Sequence, residues 1–239
     1  MKTYKAVMLV LLLSNCSIKK NIIGKYYSGI HSVGIQLKED STFVYEHRNL
    51  HLYQYSKGKW RHEKNNQISL ESNIKSTLIP LNVQNQNITN AKNELSIDLK
   101  IADGGKTSDY QCGIYIDNKL YTIKRCDSLS SVFINVPMNN FYFHFARDPQ
   151  PDTTSYISQP VFTEKYQLMI NQNNKARIDI TLPDTYFYYK SFNGVVAKAT
   201  GKSLRIFNFI SNKKETIPKV SDEANIFSAF FNTLEKKRK

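Results

Sequence analysis

The sequence predicts an all-β protein of two β-domains closed by one amphipathic helix. Three observations predict it. Apolar and polar residues alternate with period two from Gly24 onward, the pattern of half-buried strands. Polar clusters such as Glu39-Asp40-Ser41, Ser56-Lys57-Gly58 and Asn65-Asn66 interrupt that alternation, as turns do. A helical period shows only in the last twenty residues.

In chain order, Val33, Ile35 and Leu37 alternate, then Phe43 and Tyr45 resume after the first turn. Leu50 and Leu52 start another strand, Lys59-Trp60 the next, and Ile68 and Leu70 the last of a five-stranded meander. Asn82, Gln84, Asn85, Gln86, Asn87 and Asn90 read as a boundary, with one strand at Leu78–Val83. Alternation returns at Leu95–Ile101, Tyr110–Ile116, Leu120–Lys124, Val132–Val136 and Phe141–Phe145. Residues 147–160, with three prolines, read as an exposed loop. Ile178, Ile180 and Leu182 form a further strand, and a last hairpin runs from Tyr186 to Ile210. At the end, Ser221 offers an N-cap, Asp222 and Glu223 suit the first helical turn, and the basic tail suits its C-terminus. Phe227, Phe230 and Phe231 then share one face with Ile226 and Leu234, and either cover a sheet or face a partner.

The first sixteen residues have the parts of a secretory signal. Lys2 and Lys5 precede eight apolar residues, Ala6–Leu13, too few to span a bilayer, which needs about 20. Leu13-Ser14-Asn15-Cys16 resembles the lipobox of bacterial lipoproteins, which implies cleavage before Cys16 and acylation of its thiol and new amino group. Further on, Gly24-Lys25-Tyr26-Tyr27, Asp40-Ser41-Thr42-Phe43, Gly58-Lys59-Trp60 and Gln67-Ile68-Ser69-Leu70, in that order, resemble the opening domain of lipocalin-like envelope lipoproteins of Bacteroidota. The resemblance implies a small barrel plugged by Trp60. The later strands resemble an immunoglobulin-like sandwich by their spacing. The expected organisation is a signal peptide over 1–15, a lipid-anchored tether over 16–23, a lipocalin-like domain over 24–92, a sandwich over 93–215, and a helix with basic tail over 216–239. Surface lipoproteins of that group carry acidic residues after the acylated cysteine. Ser17-Ile18-Lys19-Lys20-Asn21 has none, which implies an outer-membrane protein facing the periplasm.

Composition bounds the partners. The chain has 33 basic and 20 acidic residues, a net charge of +13, and loses only Lys2 and Lys5 on cleavage. Such a balance fits an anionic envelope partner or protein, or a merely solvated surface; export sets nucleic acid aside. With Cys16 acylated, Cys112 and Cys126 remain as a pair in an oxidising compartment. A two-residue turn at Asp117-Asn118 would put them on opposite faces of the sheet, and a three-residue loop would leave them diagonal, so the disulfide stays open.

Catalytic patterns are sought without success. Gly201-Lys202-Ser203 lacks the upstream glycine of a phosphate loop, since Val196 holds that place. Ser32 in Gly-Ile-His-Ser-Val-Gly has the wrong spacing for a nucleophile elbow. His31, His47, His51 and His62 assemble no ligand set, so no metal and no cofactor are expected. The suggestive feature is aromatic: Tyr186, Tyr188 and Tyr189 in one strand are candidate ligand-facing rings. The expected function is a non-catalytic, lipid-anchored binding or scaffolding module. A periplasmic immunity or inhibitor lipoprotein is the alternative and a hydrolase the third reading.

Overall fold

The computed structural model describes residues 21–29, 32–49, 52–87, 93–102, 104–148, 158–168, 174–208, 213–228 and 231. The all-β reading holds. Five strands come first: β1 (Gly24–Ser28), β2 (Val33–Leu37), β3 (Thr42–Arg48), β4 (Tyr53–His62) and β5 (Gln67–Ser72). Nine follow: β6 (Asn82–Asn87), β7 (Asn93–Ile101), β8 (Tyr110–Ile116), β9 (Lys119–Arg125), β10 (Ser131–Ile134), β11 (Asn140–Arg147), β12 (Val161–Phe162), β13 (Tyr166–Gln167) and β14 (Asn174–Leu182). The last three are β15 (Asn193–Ala199), β16 (Ser203–Asn208) and β17 (Lys213–Val220).

Strands β1 to β5 form an antiparallel meander of five, but not the expected five: Gly24–Ser28 adds a strand, and those expected on either side of Ser56-Lys57-Gly58 are the single strand β4. Ser41, Asn65 and Asn66 have positive φ, as the turn reading requires. Gly58 does not turn the chain. It lies inside β4, where a Cβ would fall 2.0 Å from the Glu71 carbonyl oxygen, so glycine permits a close approach to β5.

The barrel closes with β15, β16 and β17. Strand β15 pairs with β5 and β17 with β1, giving a closed eight-stranded barrel in the order β1-β17-β16-β15-β5-β4-β3-β2. This corrects the expected domain boundaries. The residues of one unit run up to Lys75 and resume at Lys190, and Ser76–Tyr189 form a second unit inserted between them. Five strands alone would leave β1 and β5 as open edges, and closure removes both. The reading of 24–92 as one domain and 93–215 as another saw only contiguous sequence.

Alternate residues point into the barrel and fill it. Tyr26, Ile35, Phe43, Trp60, Leu70 and Leu204 are among its buried residues. An eight-stranded barrel is narrow enough for side chains to occupy its interior. Trp60 is 1% exposed and its indole N–H donates to the Lys38 carbonyl at 3.1 Å, the expected end plug. Phe192 packs edge-on against Phe43 and Tyr45, with centroids 5.6 and 5.0 Å away.

The inserted unit holds two sheets, one in the order β10-β7-β14-β6 and one in the order β12-β11-β8-β9 with β13 also on β11. Strands β7 and β14 run parallel over eight residue pairs, unlike the antiparallel sheets of an immunoglobulin-like sandwich. That expectation is therefore not met. Nor is the Asn/Gln-rich stretch a boundary, because β6 pairs along β14 as an edge strand.

The C-terminal segment also departs from expectation. Ser221 caps no helix; Asp222 and Glu223 form a turn, and the chain runs without helix to Ser228. The capping hydroxyl belongs to Ser228, which accepts from the Phe231 N–H at 3.1 Å. Phe230 and residues 232–239 lie outside the described residues. The segment straps the barrel's outer wall. A Cβ on Gly34 would lie 2.8 Å from the Ile226 carbonyl oxygen. Glu46, wholly buried on β3, accepts from the Ser228 N–H at 2.9 Å and from its hydroxyl. Phe231 is 6% exposed and meets Phe227 and Tyr55 at 4.8 and 6.4 Å, so this apolar face covers its own barrel.

Candidate binding face

The sheet of β12, β11, β8 and β9 has two unlike faces. Facing pairs in an antiparallel ladder share a side of the sheet. Inward point Cys112, Ile114, Phe141, Phe143, Phe145 and Val161, all buried. Outward, cross-strand pairing sets Tyr115 beside Tyr142, Gly113 beside His144 and His144 beside Phe162. On the other flank Tyr115 pairs with Leu120 and Gly113 with Ile123. Strand β9 is an edge without a buried residue. Its Leu120 and Ile123 are 49% and 58% exposed.

The outward rings form a continuous row. Tyr115 and Tyr142 stack at 4.7 Å and 10°, His144 stacks on Phe162 at 4.9 Å, and Tyr115 meets His144 edge-on at 6.3 Å. The Lys165 ammonium lies 5.8 Å over the Tyr142 ring, a cation–π distance. Gly113 floors a trough in this row. A Cβ there would meet His144 Nδ1 at 3.3 Å, Leu120 Cδ1 at 3.4 Å and Tyr115 Cε2 at 3.5 Å. Burial holds the His144 imidazole below its ordinary pKa, favouring the neutral ring, while burial and Tyr115 hold the Tyr142 hydroxyl above its own. The face thus offers uncharged rings and aliphatic side chains, with Arg125, paired to the outward Gln111, and Lys165 at its margins.

The turn joining β8 to β9 is Asp117-Asn118, as expected, both with positive φ. Asp117 is occupied structurally: its carboxylate accepts from the Asn139 and Asn140 backbone N–H groups at 3.1 and 3.0 Å. A bulge near Tyr115 then shifts the register by one residue, so Cys112 pairs with Lys124. The shift brings Cys126 to the inward side with Cys112. Both are buried free thiols, and Cys126 is a hydrogen-bonding neighbour of Cys112.

The other predicted site residues lie elsewhere. Asp184–Tyr188 form a 3₁₀ turn rather than a strand. Tyr188 and Tyr189 are 5% and 1% exposed and Tyr186 is half-buried, so these rings do not offer a solvent-facing surface. Tyr188 is held in a buried polar cluster in which the Tyr110 hydroxyl donates to Asp184 at 2.7 Å and Arg147 donates to the Tyr188 hydroxyl at 2.8 Å. His47 is buried and His62 exposed, whereas Cys16, His31 and His51 lie outside the described residues. No group of three metal-ligating side chains occurs among the described residues. Sequence reading missed the outward row, although Tyr115, Tyr142, His144 and Phe162 all occupy alternate strand positions. The missing information was which sheet face stays open. No protein-family model, curated protein or solved structure matches the chain.

Proposed function

We propose that the protein is a lipid-anchored envelope module that binds another protein through the open aromatic face of its inserted unit. The observation that carries this reading is the outward row in which exposed Leu120, Ile123 and Phe162 flank the half-buried rings of Tyr115, Tyr142 and His144. Exposed apolar side chains clustered on one sheet face mark interaction surfaces. The ring geometry favours a protein over a glycan. Sugars are held by stacking on open ring faces, but Tyr115 and Tyr142 cover each other's faces at 4.7 Å. Their edges and hydroxyls, with Leu120 and Ile123, resemble the aromatic and aliphatic mix of protein interfaces. Anchorage is proposed through Cys16 at the outer membrane, facing the periplasm.

A photo-crosslinking residue at Phe162 in living cells tests the reading. Discrete protein adducts are expected there, and none from the same residue at Thr216 on the barrel. Adducts that do not change when Tyr142 is replaced by Ala, or binding to glycans that this change abolishes, would overturn it. The anchor has its own test: Cys16→Ala should end lipid labelling and release the protein from membranes, because stable attachment needs acyl chains.

A further inference from the structure

The positive charge is not shared between the two units. Residues 76–189 contain 10 basic and 11 acidic residues, leaving 23 basic and 9 acidic in the remainder of the chain. On the barrel the cations gather on the outer wall of β15, β16 and β17. Lys198 and Arg205 are direct cross-strand partners, and both are exposed. Like charges directly opposite each other destabilise a sheet. The neighbouring strands offer no relief: Lys198 faces Gln67 on β5, and Arg205 faces Thr216 on β17. Lys214 lies two residues from Thr216 on the same face, opposite Phe207, and exposed Lys202 occupies the β15–β16 turn. The nearest acid on β17, Glu215, alternates to the inner side opposite the buried Ile206. Among the described residues no carboxylate pairs with Lys198, Lys202, Arg205 or Lys214.

The wall adjoins the point where the tether joins the barrel. Lys219 donates to the Asn21 carbonyl at 3.0 Å, and a Cβ on Gly201 would lie 2.5 Å from the Asn21 side-chain oxygen. Asn21 lies five residues beyond Cys16, a reach of at most about 18 Å when extended. We infer that the wall of Lys198, Lys202, Arg205 and Lys214 seats the barrel on an anionic lipid head-group surface. Exposed Val196, 53% accessible on the same face, suits such an interface. The inference rests on the reading of Cys16 as the anchor, because a short tether lets the wall come within electrostatic range of the bilayer.

The test uses the full chain carrying Cys16→Ser, so that only the wall can hold it to lipid. Flotation is measured with phosphatidylcholine vesicles, with and without phosphatidylglycerol. Binding is expected only to the anionic vesicles and should fall as salt rises. Each basic residue near such a surface contributes about fivefold in affinity, so Lys198→Gln with Arg205→Gln should weaken binding by about thirtyfold. Lys119→Gln with Lys124→Gln on the inserted unit should leave it unchanged. Equal binding to neutral vesicles, indifference to the wall variant, or retention by dextran sulfate without flotation would each overturn the proposal. Loss of lipid labelling at Cys16 in cells is a separate outcome: it would remove the anchor while leaving the vesicle measurement to stand or fall alone.

Discussion

Gly113 and His144 decide how the open face behaves. A Cβ at Gly113 would crowd His144 Nδ1 at 3.3 Å and already touch Leu120 and Tyr115, leaving no room for a branched side chain. Gly113→Val should therefore overpack the trough, costing about 1–3 kcal/mol in urea unfolding and suppressing the Phe162 crosslink. The pH dependence follows from His144. Its folded pKa lies below the ordinary 6.5, so the unfolded chain takes up the proton more readily. The stability contributed by the neutral ring is complete above about pH 6.5 and is lost as the pH falls through the folded value. The urea midpoint should drop between pH 7.5 and pH 5, and His144→Phe should remove part of that drop. An unchanged acid slope in the variant would show that another group is responsible. The Cys112 thiol is shifted the other way. The Cys126 hydrogen bond and burial hold the Cys112 thiol well above its usual pKa, so the reduced native protein should resist iodoacetamide and take up label at both positions only after unfolding.

Among the elements, the C-terminal strap depends on one carboxylate. Glu46 on β3 receives two hydrogen bonds from Ser228 and lies 3.7 Å from Arg48. Removing an acceptor from a buried donor costs about 1–3 kcal/mol. Glu46→Ala should lose that much and open residues 221–228 to hydrogen exchange, with the barrel strands still protected. Protection lost equally across β1 to β5 would mean that Glu46 supports the barrel instead. Strap and barrel were not equally legible in the sequence. Turns at Asn65-Asn66 and Asp117-Asn118 announce themselves because their backbone needs residues that tolerate positive φ. The plug role of Trp60 is legible only through the resemblance that implies a barrel for so large a side chain to close. Glu46 gave no signal, since strand alternation alone places it in water and only the distant strap buries it. The strap itself was misread as a helix from Ser221, because capping chemistry near the chain end is local while the wall that receives Ile226 and Phe231 is not.

At the scale of the whole molecule, closure of the barrel explains most of what sequence order concealed. Leu70 on β5 pairs with Val195 on β15, across the entire inserted unit, and no local period encodes that contact. The chain leaves the barrel and returns to it at adjoining points. The Ser72 N–H donates to the Phe192 carbonyl at 2.8 Å, the Phe192 N–H to the Ser72 hydroxyl at 2.6 Å, and the Asn193 amide to the Lys75 carbonyl at 3.2 Å. The gap at Lys75 and Lys190 is thus short enough for a small loop, and loop-closure cost grows only slowly with length. Joining Lys75 to Lys190 through a short Gly-Ser linker should therefore leave a folded eight-stranded barrel that unfolds cooperatively. Trp60, the chain's single tryptophan, reports the outcome, since its emission is blue-shifted only while the barrel core stays closed. The shortened chain should still float with anionic vesicles through Lys198 and Arg205, yet give none of the crosslinks made at Phe162. A red-shifted emission with gradual, non-cooperative melting would show that the barrel needs the inserted unit to hold β5 against β15.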